Sequence, residues 1–413
     1  MTAPVRPLAS FLPLAKRARP ADDPIFALNA EASARKAKGE SVVNATLGSL
    51  LDEHGALAVL PTATRAIREV APVDWAGYAP IAGTPGFLKA VVEDVFGARK
   101  DLATQSVAAA SPGGTGALRH AVNTFLEAGQ ALLTTSFYWN PYATIADEHD
   151  RRVDTFRMFD ASGALDVDAL DAALSVHLAT QGRALLVLND PCQNPTGYSM
   201  TAADWRGAAD AIGRAAAKGP VAVVLDAAYA AYGSTPGVLG PIAALEAVAD
   251  RALVLVAWSA SKSFTHYGLR VGALVALVPD DVERARIGAA LAYACRGTWS
   301  NCNRGGMAAV ARLLVEPPLR DAVDAERAIL IRLLNERVDA FNAAAAHHGL
   351  RHPRYDGGFF VTVFTGDADA AAQRMKADGV FVVPIEGALR LGLCATAKAD
   401  VVRVVESVAR AVR

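Results

Sequence analysis

The chain has 413 residues, 52% hydrophobic and 20% charged, with a formal net charge of −1. This balance excludes wholesale disorder and gives no electrostatic reason to expect a nucleic acid partner. No apolar stretch reaches the roughly 18 uncharged residues that a membrane-spanning helix needs, so no membrane partner is expected.

Arg6, the short apolar run Leu8 to Ala15 broken by Pro13, and the following Lys16, Arg17 and Arg19 read as an irregular arm, not as a secretory signal. Residues 1 to about 55 look irregular with one short helix near Ala30 to Lys38. Helices are predicted at Pro61 to Val70 and Pro85 to Phe96, each with proline at its start. Strands are predicted at Val107–Ala110, Ala131–Thr135, Arg152–Phe156, Ala184–Leu188, Val221–Leu225, Ala252–Ala257 and Val271–Val278. Helical patterns such as Val167–Ala179 and Ala202–Ala217 fall between them. Such alternation predicts an α/β fold, a mostly parallel sheet covered by helices on both faces. After Pro317-Pro318 come a long amphipathic helix, about Leu319 to His348, and shorter strands near Phe359–Phe364, Val380–Val383 and Leu389–Leu393. The predicted division is an arm with part of a small α+β domain (1–55), a large domain (56–315) and the rest of the small domain (316–413). Cys192, Cys295, Cys302 and Cys394 lie far apart, with no C-x-x-C pair, so neither disulfides nor a metal site is expected. A reducing, cytoplasmic setting is the default.

Ligands of open α/β sheets sit beyond the carboxyl ends of the strands, so the residues after each strand carry the chemistry. After Val107–Ala110 the turn Ser111-Pro112-Gly113-Gly114-Thr115-Gly116 opens a helix, an arrangement that favours an anion such as phosphate. Asn194-Pro195-Thr196-Gly197 follows Ala184–Leu188, and taken alone is a proline-stiffened turn. Asp226 closes Val221–Leu225, with Tyr229 three residues on. It reads either as a helix cap or as an anion fixed to pair with a protonated heterocyclic nitrogen. After Ala252–Ala257 come Ser259, Lys262 and Arg270. A lysine at the mouth of a buried strand must reach water, pair or lose its proton. Hydroxyls and an arginine around it suit a phosphate beside a reactive amine.

Together N-P-T-G, D-x-x-Y and S-x-x-K with arginine eight residues later resemble the class I, fold type I, pyridoxal-phosphate aminotransferases, over about Val43 to Ala395. The resemblance implies a mixed seven-stranded-type sheet in a large cofactor-binding domain, and a homodimer. It assigns Lys262 to a Schiff base with pyridoxal 5'-phosphate and to proton transfer, and Asp226 to the pyridine nitrogen. Tyr229 and Asn194 hydrogen-bond the phenolic oxygen; Ser259, Arg270, Gly114 and Thr115 bind the phosphate. Trp139 stacks on the ring, with Tyr138 the alternative, and Tyr78, in Y-x-P-I-x-G, reaches the phosphate of the neighbouring subunit. Gly113 departs from the serine often found there. On the substrate side the resemblance assigns Arg390, in an otherwise apolar strand, to the α-carboxylate. Arg296, in R-x-x-W-S-N, comes from the partner to a distal carboxylate, and Phe360, Gly48 and Asn194 line the pocket.

The expected activity is amino-group transfer from an acidic or aromatic amino acid to a 2-oxo acid such as 2-oxoglutarate. Another reaction on the same scaffold (β-elimination, decarboxylation or cyclisation) is the alternative, since substrate-site chemistry decides it. A non-catalytic sensor is disfavoured because no helix-turn-helix pattern precedes the family-like region.

Overall fold

The computed structural model describes residues 11–13, 16–17, 19, 24–234 and 237–412. Its apolar runs become β1 (Ser106–Ser111), β2 (Ala131–Thr135), β3 (Arg152–Phe156), β4 (Ala184–Asn189), β5 (Val221–Asp226), β6 (Leu253–Ser259) and β7 (Gly272–Leu277). They form one seven-stranded sheet in the order β1-β7-β6-β5-β4-β2-β3. Only β7 is reversed, running antiparallel to β1 and β6. Strands β2, β4, β5 and β7 are buried throughout. Leu186, Leu188, Val223 and Leu225 pack into the core on one face, while Leu185, Val187, Ala222 and Val224 pack into the core on the other. With apolar partners on both sides, no polar residue has a place to alternate into, which is why these strands read as continuous apolar runs.

Among the helices are α1 (Pro24–Ala37) and α2 (Gly113–Phe125), which both line the site, and α3 (Asp281–Thr298) and α4 (Pro317–His348), which do not. A second sheet has the order β9-β10-β8, from β8 (Phe360–Phe364), β9 (Val383–Ile385) and β10 (Ala388–Gly392), and is antiparallel. Val338 and Phe341 of α4 pack under it with Val361, Val363, Leu389 and Leu391. No helix among the described residues is long and apolar enough to cross a membrane.

Three expectations change. The first helix starts at Pro24, not near Ala30. The strand expected at Val380–Val383 is two: Val380–Phe381 pairs in parallel with Val43–Asn44, while Val383–Ile385 pairs with β10. Helices Asp281–Thr298 and Arg304–Val315 were not foreseen. The expected N-terminal arm lies largely outside the described residues.

Candidate active site

Strand register gathers the site. Asn189 is paired with Asp226, Asp226 with Ala257, and Ser259 with Gly272, which also faces Ser111 on its other side. The polar ends of four strands therefore meet along one edge of the sheet, where the parallel strands stop and their helices begin. Gly48, Gly114, Thr115, Trp139, Asn194, Asp226, Tyr229, Ser259, Lys262 and Arg270, all anticipated from the sequence, line one cavity of about 350 Å3 there.

Lys262 lies at its centre. Its Nζ donates to Gly48 O at 2.6 Å and sits 4.5 Å from the centroid of Tyr267, 5.4 Å from that of Phe359 and 5.8 Å from that of Tyr229. Burial, helped by the Arg270 and Arg390 guanidiniums, lowers its pKa to about 8. An ammonium surrounded by rings and one carbonyl has too few partners to replace water, so the neutral amine is within reach at neutral pH.

Among the described residues Asp226 is the only acidic side chain lining the cavity. It caps no helix; its Oδ2 accepts from Tyr142 Oη at 2.5 Å and its Oδ1 from Ala228 N at 3.2 Å. Burial raises its pKa to about 6, against the opposing pull of those two donors. Asn189 braces the same edge, donating to Asp226 O and accepting from Asn194 N. Asn194 Nδ2 in turn lies 3.5 Å from Tyr229 Oη.

At the other end Gly114, Thr115, Ser259, Ser261 and Arg270 form a cup. Arg270 is fixed by Ser261 Oγ and by the carbonyls of Tyr267 and Pro112. Glycine at 113 has a structural reason. Its φ is +73°, and a Cβ there would lie 2.6 Å from an Arg270 nitrogen, so serine would displace the guanidinium. The donor set thus fits pyridoxal phosphate: donors without acids for the phosphate, a buried carboxylate for a ring cation, and an amine between.

Arg390 is buried in β10, donates to Thr46 O at 2.7 Å and holds its guanidinium 4.6 Å from the Phe360 ring centroid. A Cβ on Gly48 would lie 3.1 Å from that same ring, so glycine lets this segment pass close to it. Trp139, not Tyr138, lines the cavity; Tyr138 instead stacks on Tyr142. Four expected residues do not line the cavity: Arg390 and Phe360 lie behind Gly48, with Phe360 against it, and the other two are not brought in by this chain. Tyr78 is 87% exposed, and Arg296, at the end of α3, donates to Ser300 Oγ; neither lines the cavity. Sequence reasoning passed over Tyr142, Tyr267 and Asn189. The signal for Tyr142 was its place three residues after Trp139, on a helix opened by Pro141.

The family described as aminotransferase class I and II matches residues 40–408. An aspartate aminotransferase of Pseudomonas aeruginosa is 30% identical over 380 residues, covering 87% of this chain and 90% of that protein. An aromatic-amino-acid aminotransferase of Paracoccus denitrificans is also 30% identical, over 66% of this chain and 71% of its own. The crystal structure of an aminotransferase from Anaerococcus prevotii superposes with a TM-score of 0.91 at 28% identity, covering 98% of this chain and 100% of that one. The chain belongs to the class I and II aminotransferase family and is thus an amino-group-transferring enzyme. Its cofactor is pyridoxal phosphate, as the resemblance implied.

Proposed function

We propose that the chain moves an amino group between an amino acid with an acidic or aromatic side chain and a 2-oxo acid such as 2-oxoglutarate. The observation that carries this reading is the buried Lys262 amine, set between a lone carboxylate and an acid-free cup. When bound, the cofactor supplies an aldehyde that takes up the amino group and a ring that accepts electrons from the substrate α-carbon. Lys262 Nζ would hold the cofactor through its aldehyde carbon and, as a free amine, would carry a proton to and from the substrate α-carbon. A pKa of about 8 lets the same nitrogen act as base and acid near neutral pH. Asp226 keeps a proton on the ring nitrogen, and Tyr229 with Asn194 orients the ring oxygen. Ser259, Arg270, Gly114 and Thr115 hold the phosphate, while Trp139 covers the ring. Arg390 grips the substrate α-carboxylate with a planar fork that lysine lacks, and Gly48 and Phe360 close over it.

The chain works as a homodimer in this reading, Tyr78 and Arg296 serving the neighbouring subunit's site. Their exposure, and that of Val73, Trp75 and Ile81 near Tyr78, supports it. The domain division at 55/56 and 315/316 stands as part of the reading. So does the cytoplasmic setting, which suits four buried free cysteines.

The test is spectroscopic. L-aspartate or L-phenylalanine should bleach the aldehyde absorbance of the loaded protein, 2-oxoglutarate should restore it, and Lys262→Ala should abolish the cycle. A Lys262→Ala protein cycling at the wild-type rate would overturn the assignment.

A further inference from the structure

Arg337 lies on α4 and is completely buried. A buried guanidinium is costly unless each donor finds a partner, and its five N–H groups are all used. Nε and Nη2 donate to Glu53 Oε1 at 3.0 and 2.6 Å, and Nη2 also donates to Leu51 O at 2.9 Å. Nη1 donates to Leu393 O at 3.2 Å and Cys394 O at 2.9 Å. One side chain therefore joins the loop at residues 51–53 to the turn that directly follows β10.

Both segments reach the active site. The first presents Gly48 O to Lys262 Nζ and Leu50 N to Tyr267 Oη, the latter at 3.0 Å. The second continues from Arg390, whose guanidinium is oriented by Thr46 O. Between them run further links, from Gly392 N to Ala45 O and from Leu51 N to Cys394 O. Arg337 touches neither the cavity nor the cup that holds the phosphate.

We propose that Arg337, with Glu53, is a positioning residue for substrate binding. It clamps residues 45–53 to the turn after Arg390, so that Arg390 and Gly48 hold one spacing across the substrate. The inference rests on the transamination reading, which gives Arg390 its carboxylate. It predicts a split that general softening would not produce: cofactor binding, built on the seven-stranded sheet, stays intact while substrate binding weakens.

The experiment compares wild type, Arg337→Lys and Glu53→Ala as cofactor-loaded proteins. Three quantities are measured: the cofactor dissociation constant, the L-aspartate or L-phenylalanine concentration giving half the maximal bleaching rate, and that maximal rate. Lysine cannot make five bonds, so Arg337→Lys should raise the half-saturating concentration of both donors about tenfold. Glu53→Ala, which leaves three carbonyls on the guanidinium, should raise it about threefold. Cofactor affinity should stay within about twofold and the limiting rate within about threefold. The role is overturned if cofactor and donor affinities fall together, if only the limiting rate falls, or if nothing changes. Should Arg337→Lys fail to fold, Glu53→Ala decides on the same criteria. A wild type that bleaches with neither donor overturns both proposals; a bleaching wild type matched by its variants overturns only this one.

Discussion

Replacing Tyr142 with phenylalanine tests the electrostatics of the site with the loss of one oxygen. The phenol donates to Asp226 Oδ2 at 2.5 Å inside a buried setting, and burial keeps the phenol itself protonated. A hydrogen bond to a charged acceptor contributes about 1.5–3 kcal/mol, roughly one to two units of pKa. The Asp226 carboxyl already titrates near 6 because burial opposes its charge. Without the phenol its pKa rises further, and at pH 7 a large share of the carboxyl becomes protonated. A protonated carboxyl is a poor partner for a ring cation, so cofactor affinity in Tyr142→Phe should fall about two- to tenfold at pH 7. The fall should shrink as pH rises toward about 9, where the carboxyl is ionised in both proteins. Measuring the cofactor dissociation constant from pH 5 to 9 gives the two curves. A loss of affinity uniform across pH, or no change, would refute the electrostatic account and leave Tyr142 a packing residue.

Three further outcomes follow from the same geometry. Between the ordinary 3.8 and the folded value of about 6, the folded chain holds the Asp226 proton more tightly than the unfolded chain, so stability falls as pH rises. Cofactor-free Asp226→Asn should therefore be more stable than wild type at pH 7 by up to about 3 kcal/mol in urea unfolding, with no advantage below about pH 4. Arg390→Ala should raise the half-saturating concentration of every amino donor by about a hundredfold, because a charge-assisted fork is lost, with the cofactor still bound. Arg296→Leu should lower kcat/KM for aspartate at least about tenfold and leave phenylalanine near wild type, with donor-panel kinetics as the check.

The centre of the sheet was legible because β4, β5 and β6 are buried on both faces, which writes each as an apolar run ending in a polar residue, whereas the edge strand β3 is largely exposed. The same feature exposed Asp226, Ser259 and Lys262, since polar groups stand out where such runs stop. Tyr142 was not legible in this way: a tyrosine early in a helix looks like core until the fold brings it to a carboxylate 84 residues away. Arg337 was harder still. It is one arginine among several on α4, a 32-residue helix, and nothing in the local pattern marks it as the buried one. Helix α3 escaped because its apolar positions are largely alanine and only Ile287, Leu291 and Cys295 are buried, so its periodicity is faint. Its cap was readable, with Asp280 accepting from Glu283 N.

The cavity joins two structures with separate duties. Asp226, Ser259 and Arg270 sit at the ends of the large sheet, whereas Arg390 belongs to β10 and Gly48 to the segment bound to it. Tyr142 acts on the first set and Arg337 on the second, and they share no hydrogen-bond partner. Substitutions at sites without shared partners add within about 0.5 kcal/mol. The Tyr142→Phe/Arg337→Lys protein should thus combine the cofactor loss of one parent with the donor loss of the other, each at its single-variant size. A coupling above about 1 kcal/mol in either constant would mean that the two sheets do not act independently, and that loading the cofactor already sets the position of the substrate loop.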